Sequence, residues 1–308
     1  MNMGPEISVV MSVYNESVVY ISQAIESILG QTYKNFEFII ILDNPSRKDL
    51  IDYICSLDDE RIVFIVNDKN IGLPLSLNKG IIASRGKYIA RMDADDIAVP
   101  VRLEKQLMYI RENQIDLCSA FLFNINDKGA VVGKSKIYNY TSKEINKLLN
   151  WRNPLAHPTW FFKKNLFIEV GGYRDFHSCE DYDFLLRCKN IGAEFAVVPE
   201  CLLYYRYNID SISNTNALKQ LVSSEILRKN KKNLEQLNES RFEDLVKRKL
   251  SVAKSSKFTM AKMYFTKASR CSGIKKVFYI IRSIWESRYI LYLYRNSIIT
   301  AVIRISRL

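Results

Sequence analysis

The chain has 308 residues, enough for one large domain or two smaller ones, and 48% hydrophobic with 25% charged content excludes a disordered or fibrous chain. The net charge of +12 resembles that of a nucleic-acid binder, yet residues 217–308 hold 21 Lys and Arg against 6 Asp and Glu, leaving 24 against 27 in the first 216. A nucleic-acid face should be basic where the fold is, so the division argues against that class and for a basic appendage that meets a negative surface.

Ile7 to Val13 (ISVVMSV) is a near-continuous apolar run, as in a parallel strand covered on both faces, and it stops at the polar turn Tyr14-Asn15-Glu16-Ser17. Ile21, Ala24, Ile25, Ile28 and Leu29 recur at helical spacing up to Gly30. Phe36 to Leu42 is a second buried strand that closes on Asp43-Asn44-Pro45-Ser46. A helix over Arg47 to Leu57, a strand at Arg61 to Val66, a turn at Asn70-Ile71-Gly72 and a helix over Leu73 to Ala83 follow. The next strand, Lys87 to Met92, runs into Asp93, Asp95 and Asp96. The β-α-β-α-β-α-β order predicts right-handed crossovers and a mostly parallel α/β sheet, which binds ligands beyond the carboxyl ends of its strands. Tyr14, Glu16, Asp43 and the three aspartates all fall at those ends.

Arg102 to Asn113 reads as a helix, Leu117 to Phe123 as a strand and Asn126 to Gly129 as a turn. The rhythm then changes: Trp151 to Pro158 is irregular, Thr159 to Phe162 a short strand, and Gly171-Gly172-Tyr173 a turn. Glu180-Asp181 leads into a helix, and Ala196 to Pro199 and Leu202 to Tyr207 read as two closing strands. Leu221 to Lys257 has the composition of solvent-facing helices. Lys275 to Leu308 interleaves aliphatic and aromatic residues with arginine, and no charge-free run there reaches the ~20 residues a membrane-spanning helix needs. That mixture suits a helix lying in an anionic membrane interface, with a helical subdomain packed on the body or on a partner as the competing reading. The division expected is therefore 1–216 and 217–308. The N-terminus lacks a basic stretch followed by an apolar one, and the six cysteines lack C-x-x-C spacing, so a cytoplasmic location is expected.

Three carboxylates within four residues repel one another and must be hydrated, paired or bound to a cation. Mn²⁺ or Mg²⁺ prefers such oxygen ligands together with substrate phosphates, while an acidic turn after a strand is the plainer alternative.

ISVVMSVYNES, FIIILDNPS, NIGLPLSLNKGI, GKYIARMDADDIAVPVRL, AHPTWFF, GGYRDF, EDYDFLLR and YYRYNIDSIS occur in that order. Together, over about residues 6–213, they resemble the family-2 glycosyltransferases with the GT-A fold, in particular bacterial enzymes of surface-polysaccharide assembly. The resemblance implies transfer of a sugar from a nucleotide donor, usually UDP-linked, with inversion, to a glycan or lipid-linked glycan at the cytoplasmic face of the membrane. By likeness, Tyr14 and Glu16 border the nucleotide with Gly72 nearby, Asp43 hydrogen-bonds the base and Asp93 holds the ribose. Asp95 or Asp96 binds Mn²⁺ or Mg²⁺ at the diphosphate, and Asp181, with Glu180 beside it, deprotonates the acceptor hydroxyl.

Plainer roles compete at several positions. Tyr14 could be a half-buried strand end, Asp181 a helix N-cap, and His157 a loop residue next to Pro158. Trp151, His157 and Trp160 mark the stretch expected to touch the acceptor, with core packing as the competitor. Three positions depart from the family pattern: Asn44-Pro45 replaces Asp-Gly after Asp43, Ser12 replaces a proline, and Asn208 stands where relatives carry a metal- or phosphate-contacting His. A nucleotidyltransferase on a related sheet is the nearest other enzyme, but Tyr14-Asn15-Glu16-Ser17 has no glycine to cradle phosphate.

Overall fold

The computed structural model describes residues 4–176, 178–206, 217–252, 255–287, 289–291 and 294. They divide into two compact units, the first of 1–146, 153–175 and 183–209 and the second of 147–152, 176–182 and 210–308.

In the first unit the apolar runs become strands β1 (Ile7–Val13), β2 (Phe36–Leu42), β3 (Ile62–Val66) and β4 (Tyr88–Asp93), all mutually parallel. Helices α1 (Val18–Leu29), α2 (Lys48–Cys55) and α3 (Leu73–Ala83) connect them. β2 is buried throughout and β1 at all positions but Ser12, the burial expected of strands covered on both faces. Helix α3 lies close on the sheet because Gly80 has no side chain: a Cβ there would sit 2.5 Å from Ile41 Cδ1 and 2.7 Å from Val10 Cγ1. The strand order is β3-β2-β1-β4 and continues through β8 (Phe161–Lys163), β6 (Leu117–Ile125), β9 (Phe195–Arg206) and β5 (Ile97–Ala98). The chain leaves β1 on one side for β2 and β3, then returns on the other for β4. That reversal opens a crevice beyond the carboxyl ends of β1 and β4.

Past β4 lie β5 (Ile97–Ala98), α4 (Arg102–Glu112), β6 (Leu117–Ile125), β7 (Val131–Lys134) and β8 (Phe161–Lys163). β8 is antiparallel to both β4 and β6, so the parallel order is interrupted there. The expected strand from Thr159 begins instead at Phe161. His157–Thr159 forms a 3-10 turn, pinned by Thr159 Oγ1 accepting from Ala120 N at 2.9 Å. The two expected closing strands are one, β9 (Phe195–Arg206), parallel to β6. Its pairing jumps from Ala120↔Val198 to Phe121↔Cys201, which leaves Pro199 and Glu200 in a bulge, where proline's missing N–H is tolerated. β5, β7 and the helices α5 (Ser142–Leu149) and α6 (Lys164–Val170) are elements that sequence periodicity did not indicate.

Helix α7 (Glu180–Asn190) starts in the second unit, which also contains α8 (Ala217–Asn230), α9 (Glu239–Val252), α10 (Ser255–Ser269) and α11 (Gly273–Glu286). α8 and α9 are more than solvent-facing: Val222, Ile226, Leu227, Phe242 and Val246 are buried and give the unit its own core. The segments 147–152 and 176–182 are built into it. Phe176 stacks on Phe242 with ring centroids 4.2 Å apart, Tyr182 Oη donates to Leu149 O at 2.7 Å, and Lys231 Nζ donates to Asn150 Oδ1 at 2.9 Å. Among the described residues, no helix is long and apolar enough to cross a membrane.

Glu225 joins α8 to α9 through Oε1, which lies 2.8 Å from Lys249 Nζ and 2.9 Å from Lys229 Nζ. Burial pushes its carboxyl up, but the two lysines outweigh that and hold it down at about 2. A carboxyl with a depressed native pKa stabilises above its unfolded value and loses that contribution as pH falls toward the native one. Glu225→Gln is expected to cost about 1–2 kcal/mol at pH 7, after allowance for the solvent-exposed lysines. Thermal melts should show the two proteins converging as pH falls from 5 toward 2; an equal gap at every pH would refute the ion-pair origin.

Candidate active site

The acidic cluster forms because β4 carries its chain one residue past its last apolar side chain. Asp93 ends that strand, paired in register with Ser12 of β1, and the chain turns at once through Ala94 to Asp96. Carboxylate oxygens of Asp93, Asp95 and Asp96 come within 4.8 Å of one another. Arg206, at the end of β9, fixes the turn: its N donates to Asp96 Oδ1 at 2.9 Å and its Nε to the Asp95 carbonyl at 2.8 Å. The same guanidinium donates to Asn126 O and Asp127 O and to Gln23 Oε1, and lies over the Tyr20 ring. Asp96 is 0% exposed, and its Oδ2 has no hydrogen-bond partner among the described residues.

Charge is unbalanced here. Buried Arg91, two residues before Asp93 on the same face of the strand, meets Asp93 Oδ1 at 2.5 Å, while its Nε and Nη1 have no partner among the described residues. Behind it, fully buried Arg102 donates to the Arg91 carbonyl at 2.6 Å and to Gln106 Oε1 at 3.0 Å. Burial and the neighbouring Arg91 lower the Arg102 guanidinium to about 10. Burial, then the charges of Asp93 and Glu16, push Asp95 up to about 7. Asp96 is raised well above the usual carboxylate range by burial and by Asp93 and Asp95. Burial raises Glu16 as well, and burial with the three aspartates lifts Tyr205 to about 12. Arg91 pairs with the Asp93 carboxylate, while Arg206 and Arg47 are spent on the carbonyls of Asp95 and Glu16. Hard oxygen donors, carboxylates crowded within reach of one another and a buried Oδ2 without a partner among the described residues fit a divalent cation held by Asp93, Asp95 and Asp96.

Beside the cluster, the ends of β1 and β2 form a second polar surface. Asp43 is buried, and its carboxylate accepts from Asn67 Nδ2 at 2.7 Å, Ile71 N at 2.9 Å and Gly72 N at 2.8 Å. Those bonds brace the loop into α3, which Gly72 enters at φ +86°, a backbone conformation that favours glycine. Lys79 Nζ supports Asn67 Oδ1 at 2.8 Å. Tyr14 is exposed, and its N donates to Glu16 Oε2 at 2.7 Å. Arg47 holds the Glu16 carbonyl, and Asn44, which takes the place of the family's second Asp, links the two turns through Asn15 Oδ1 at 2.8 Å.

The structure brings Tyr14, Glu16, Asp43, Gly72, Asp93, Asp95 and Asp96 to the strand ends of the first unit. Trp160 is corrected: it is 0% exposed, with its ring against Tyr173 and Phe184, so it is a core residue with no face for a sugar. His157 is partly buried, shares a hydrogen bond with Tyr173 Oη at 3.0 Å and packs edge-on against Trp160. Burial and the nearby Arg91 hold its pKa well below the usual histidine value, which keeps the imidazole neutral. Glu180, Asp181 and the half-exposed Trp151 belong to the second unit. Helix α7 opens at Glu180, so Asp181 lies inside its first turn and not at the N-cap, with Oδ1 accepting from Tyr182 N at 2.6 Å. Asn208 and the region beyond residue 294 lie outside the described residues. Sequence reasoning did not single out Arg91, Arg102, Asn67 or Arg206. An arginine inside the apolar strand YIARMD was the one available signal.

The family model described as glycosyl transferase family 2 matches residues 8–171. An uncharacterized glycosyltransferase of Methanocaldococcus jannaschii is 40% identical over 205 residues, covering 66% of this chain and 71% of that protein. The O-antigen biosynthesis glycosyltransferase WbnJ of Escherichia coli is 36% identical over 208 residues, covering 65% of this chain and 79% of its own. Among solved structures, S. aureus TarS 1–349 in complex with UDP-GlcNAc aligns with a TM-score of 0.57 at 17% identity, covering 78% of this chain and 70% of that one, a likeness of fold.

Proposed function

Because this chain belongs to glycosyl transferase family 2 and is a glycosyltransferase with the GT-A fold, we propose that it moves a sugar, with inversion, from a UDP-sugar to a lipid-linked glycan of a bacterial surface polysaccharide. The work would take place at the inner face of the cell membrane. The convergence of Asp93, Asp95 and Asp96 at the crevice beyond β1 and β4 is the observation that carries the reading. The O-antigen role in the name of WbnJ and the UDP-GlcNAc bound to TarS support the product and donor classes.

Asp95, with Asp93 and Asp96, would hold Mn²⁺ or Mg²⁺, whose positive charge suits a diphosphate leaving group. Tyr14, Glu16 and Gly72 border the nucleotide, Asp43 accepts from the base, and Asp93 also takes the ribose hydroxyls. Asp181 takes the proton of the acceptor hydroxyl as its oxygen bonds to the anomeric carbon. The bond from that carbon to the diphosphate breaks, and UDP leaves with the electron pair. Trp151 offers an aromatic face to the acceptor, with His157 near it in sequence.

UDP release from a panel of UDP-sugars with Mn²⁺ tests this. One donor should be consumed, and Asp181→Asn should lower turnover by roughly a hundredfold, the lower range for loss of a general base, with UDP affinity unchanged. Failure to bind UDP or release it from any donor would overturn the reaction class. Full turnover in Asp181→Asn would overturn the base alone.

A further inference from the structure

Helix α11 turns its polar side inward. Ser283 is fully buried, with Oγ donating to Ile280 O at 2.7 Å, and Tyr279 stacks on Tyr264 of α10 with centroids 6.2 Å apart. At 3.6 residues per turn, Ile274, Val277, Phe278, Ile281, Ile284 and Trp285 fall on the opposite arc, about 120° wide. All six are exposed, Ile274 at 89% and Trp285 at 80%. Soluble helices bury that arc. A contiguous apolar face of this kind marks a surface that meets something less polar than water.

Charge identifies what it meets. Residues 255–287 contain seven Lys and Arg and one acid, Glu286, and Arg282 lies 3.7 Å from that acid. Lys275 and Arg282 flank the apolar arc on one edge, the geometry of a helix whose cations reach lipid phosphates while its apolar side chains enter the bilayer. A second copy of this chain is disfavoured, because a symmetric pairing of the face would place the same cations against each other. At 1.5 Å per residue the 14 residues of α11 extend about 21 Å, short of the ~30 Å hydrocarbon core, so the helix lies in the plane of the interface. Trp285 suits the headgroup level.

We infer that the exposed Ile274–Trp285 face of α11, flanked by Lys275 and Arg282, docks the protein on an anionic phospholipid bilayer. This deepens the membrane-surface part of the proposed function and rests on it. The test is co-sedimentation of the full chain with vesicles of phosphatidylcholine alone, or of phosphatidylcholine and phosphatidylglycerol in equal parts. Wild type should bind the anionic vesicles and weaken with salt. The pair Ile281→Glu and Trp285→Glu should weaken binding at least roughly tenfold, with UDP release in free solution unchanged, since both side chains face solvent. Lys275→Glu with Arg282→Glu should abolish the preference for anionic lipid. Wild-type binding with both pairs unaffected would overturn this surface and leave the membrane reading standing. No wild-type binding to either vesicle would overturn both, as would self-association through the face without vesicle binding.

Discussion

Asp95→Ala is expected to lower Mn²⁺-dependent UDP release by roughly a thousandfold, the few kcal/mol that a bound cation contributes to a charged leaving group. The substitution is clean because the turn does not depend on the side chain. Arg206 holds the Asp95 carbonyl, and Asp96 Oδ1 accepts from Arg206 N, so the backbone keeps its course without the carboxylate. Asp96→Ala would be the poorer experiment, since it leaves the Arg206 N–H buried without a partner and mixes lost stability with lost ligation. Titration with Mn²⁺ separates the two effects. Asp95→Ala should bind the metal at least roughly tenfold more weakly while its melting temperature stays near that of the wild type. Unchanged Mn²⁺ affinity together with unchanged UDP release would remove Asp95 from the site.

Arg91→Met should be the most destabilising single change near the cluster. It removes the cation that lies 2.5 Å from Asp93 and leaves Asp93, Asp95, Asp96 and Glu16 to repel one another in a poorly solvated place. Breaking a buried ion pair from one side costs about 3–5 kcal/mol, because an uncompensated charge stays behind. Two comparisons isolate the electrostatic origin. Asp93→Asn should recover part of the loss in the Arg91→Met background, as coupled neighbours do. Added Mn²⁺ should raise the melting temperature of Arg91→Met more than that of the wild type, because a cation at the cluster replaces the missing charge and ligand binding stabilises the folded state. A loss that neither Asp93→Asn nor Mn²⁺ reduces would mean that Arg91 matters for packing alone.

Arg102 makes the role of Arg91 sharper. Its guanidinium is fully buried beneath the cluster and is spent on the Arg91 carbonyl, Gln106 and Met92 Sδ, so it shapes the backbone of β4 and does not pair directly with a carboxylate. Arg91 is the neighbouring cation that meets the Asp93 carboxylate.

The parallel part of the fold was legible in the chain because its signals are local. β1, β2 and α3 occupy the expected residues: unbroken apolar runs and the Gly-Leu-Pro entry to α3 need no distant partner to be recognised. The acidic triad was legible for the same reason, as a break in one such run, and the charge count located the basic region before any helix was seen. What failed locally was set by contact. Pro199 and Glu200 split β9 into two apparent strands, and only pairing with β6 absorbs them as a bulge. Trp160 reads as a sugar platform in sequence, yet the aromatic residues around it, Tyr173 and Phe184, come from other segments and close over it. Likewise, residues 147–152 and 176–182 join the helical unit through Phe242, Leu149 and Lys231, which no spacing rule connects.

By itself, then, the sequence determined the alternation of strands and helices in the parallel half, the place of the carboxylates at its strand ends and the sign of charge at each end of the chain, since all three depend on residues adjacent in the chain. Only the tertiary structure decided which charges are buried together. The cost of desolvating Asp96, the pairing of Arg91 with Asp93 and the outward apolar face of α11 depend on what lies across space from each side chain.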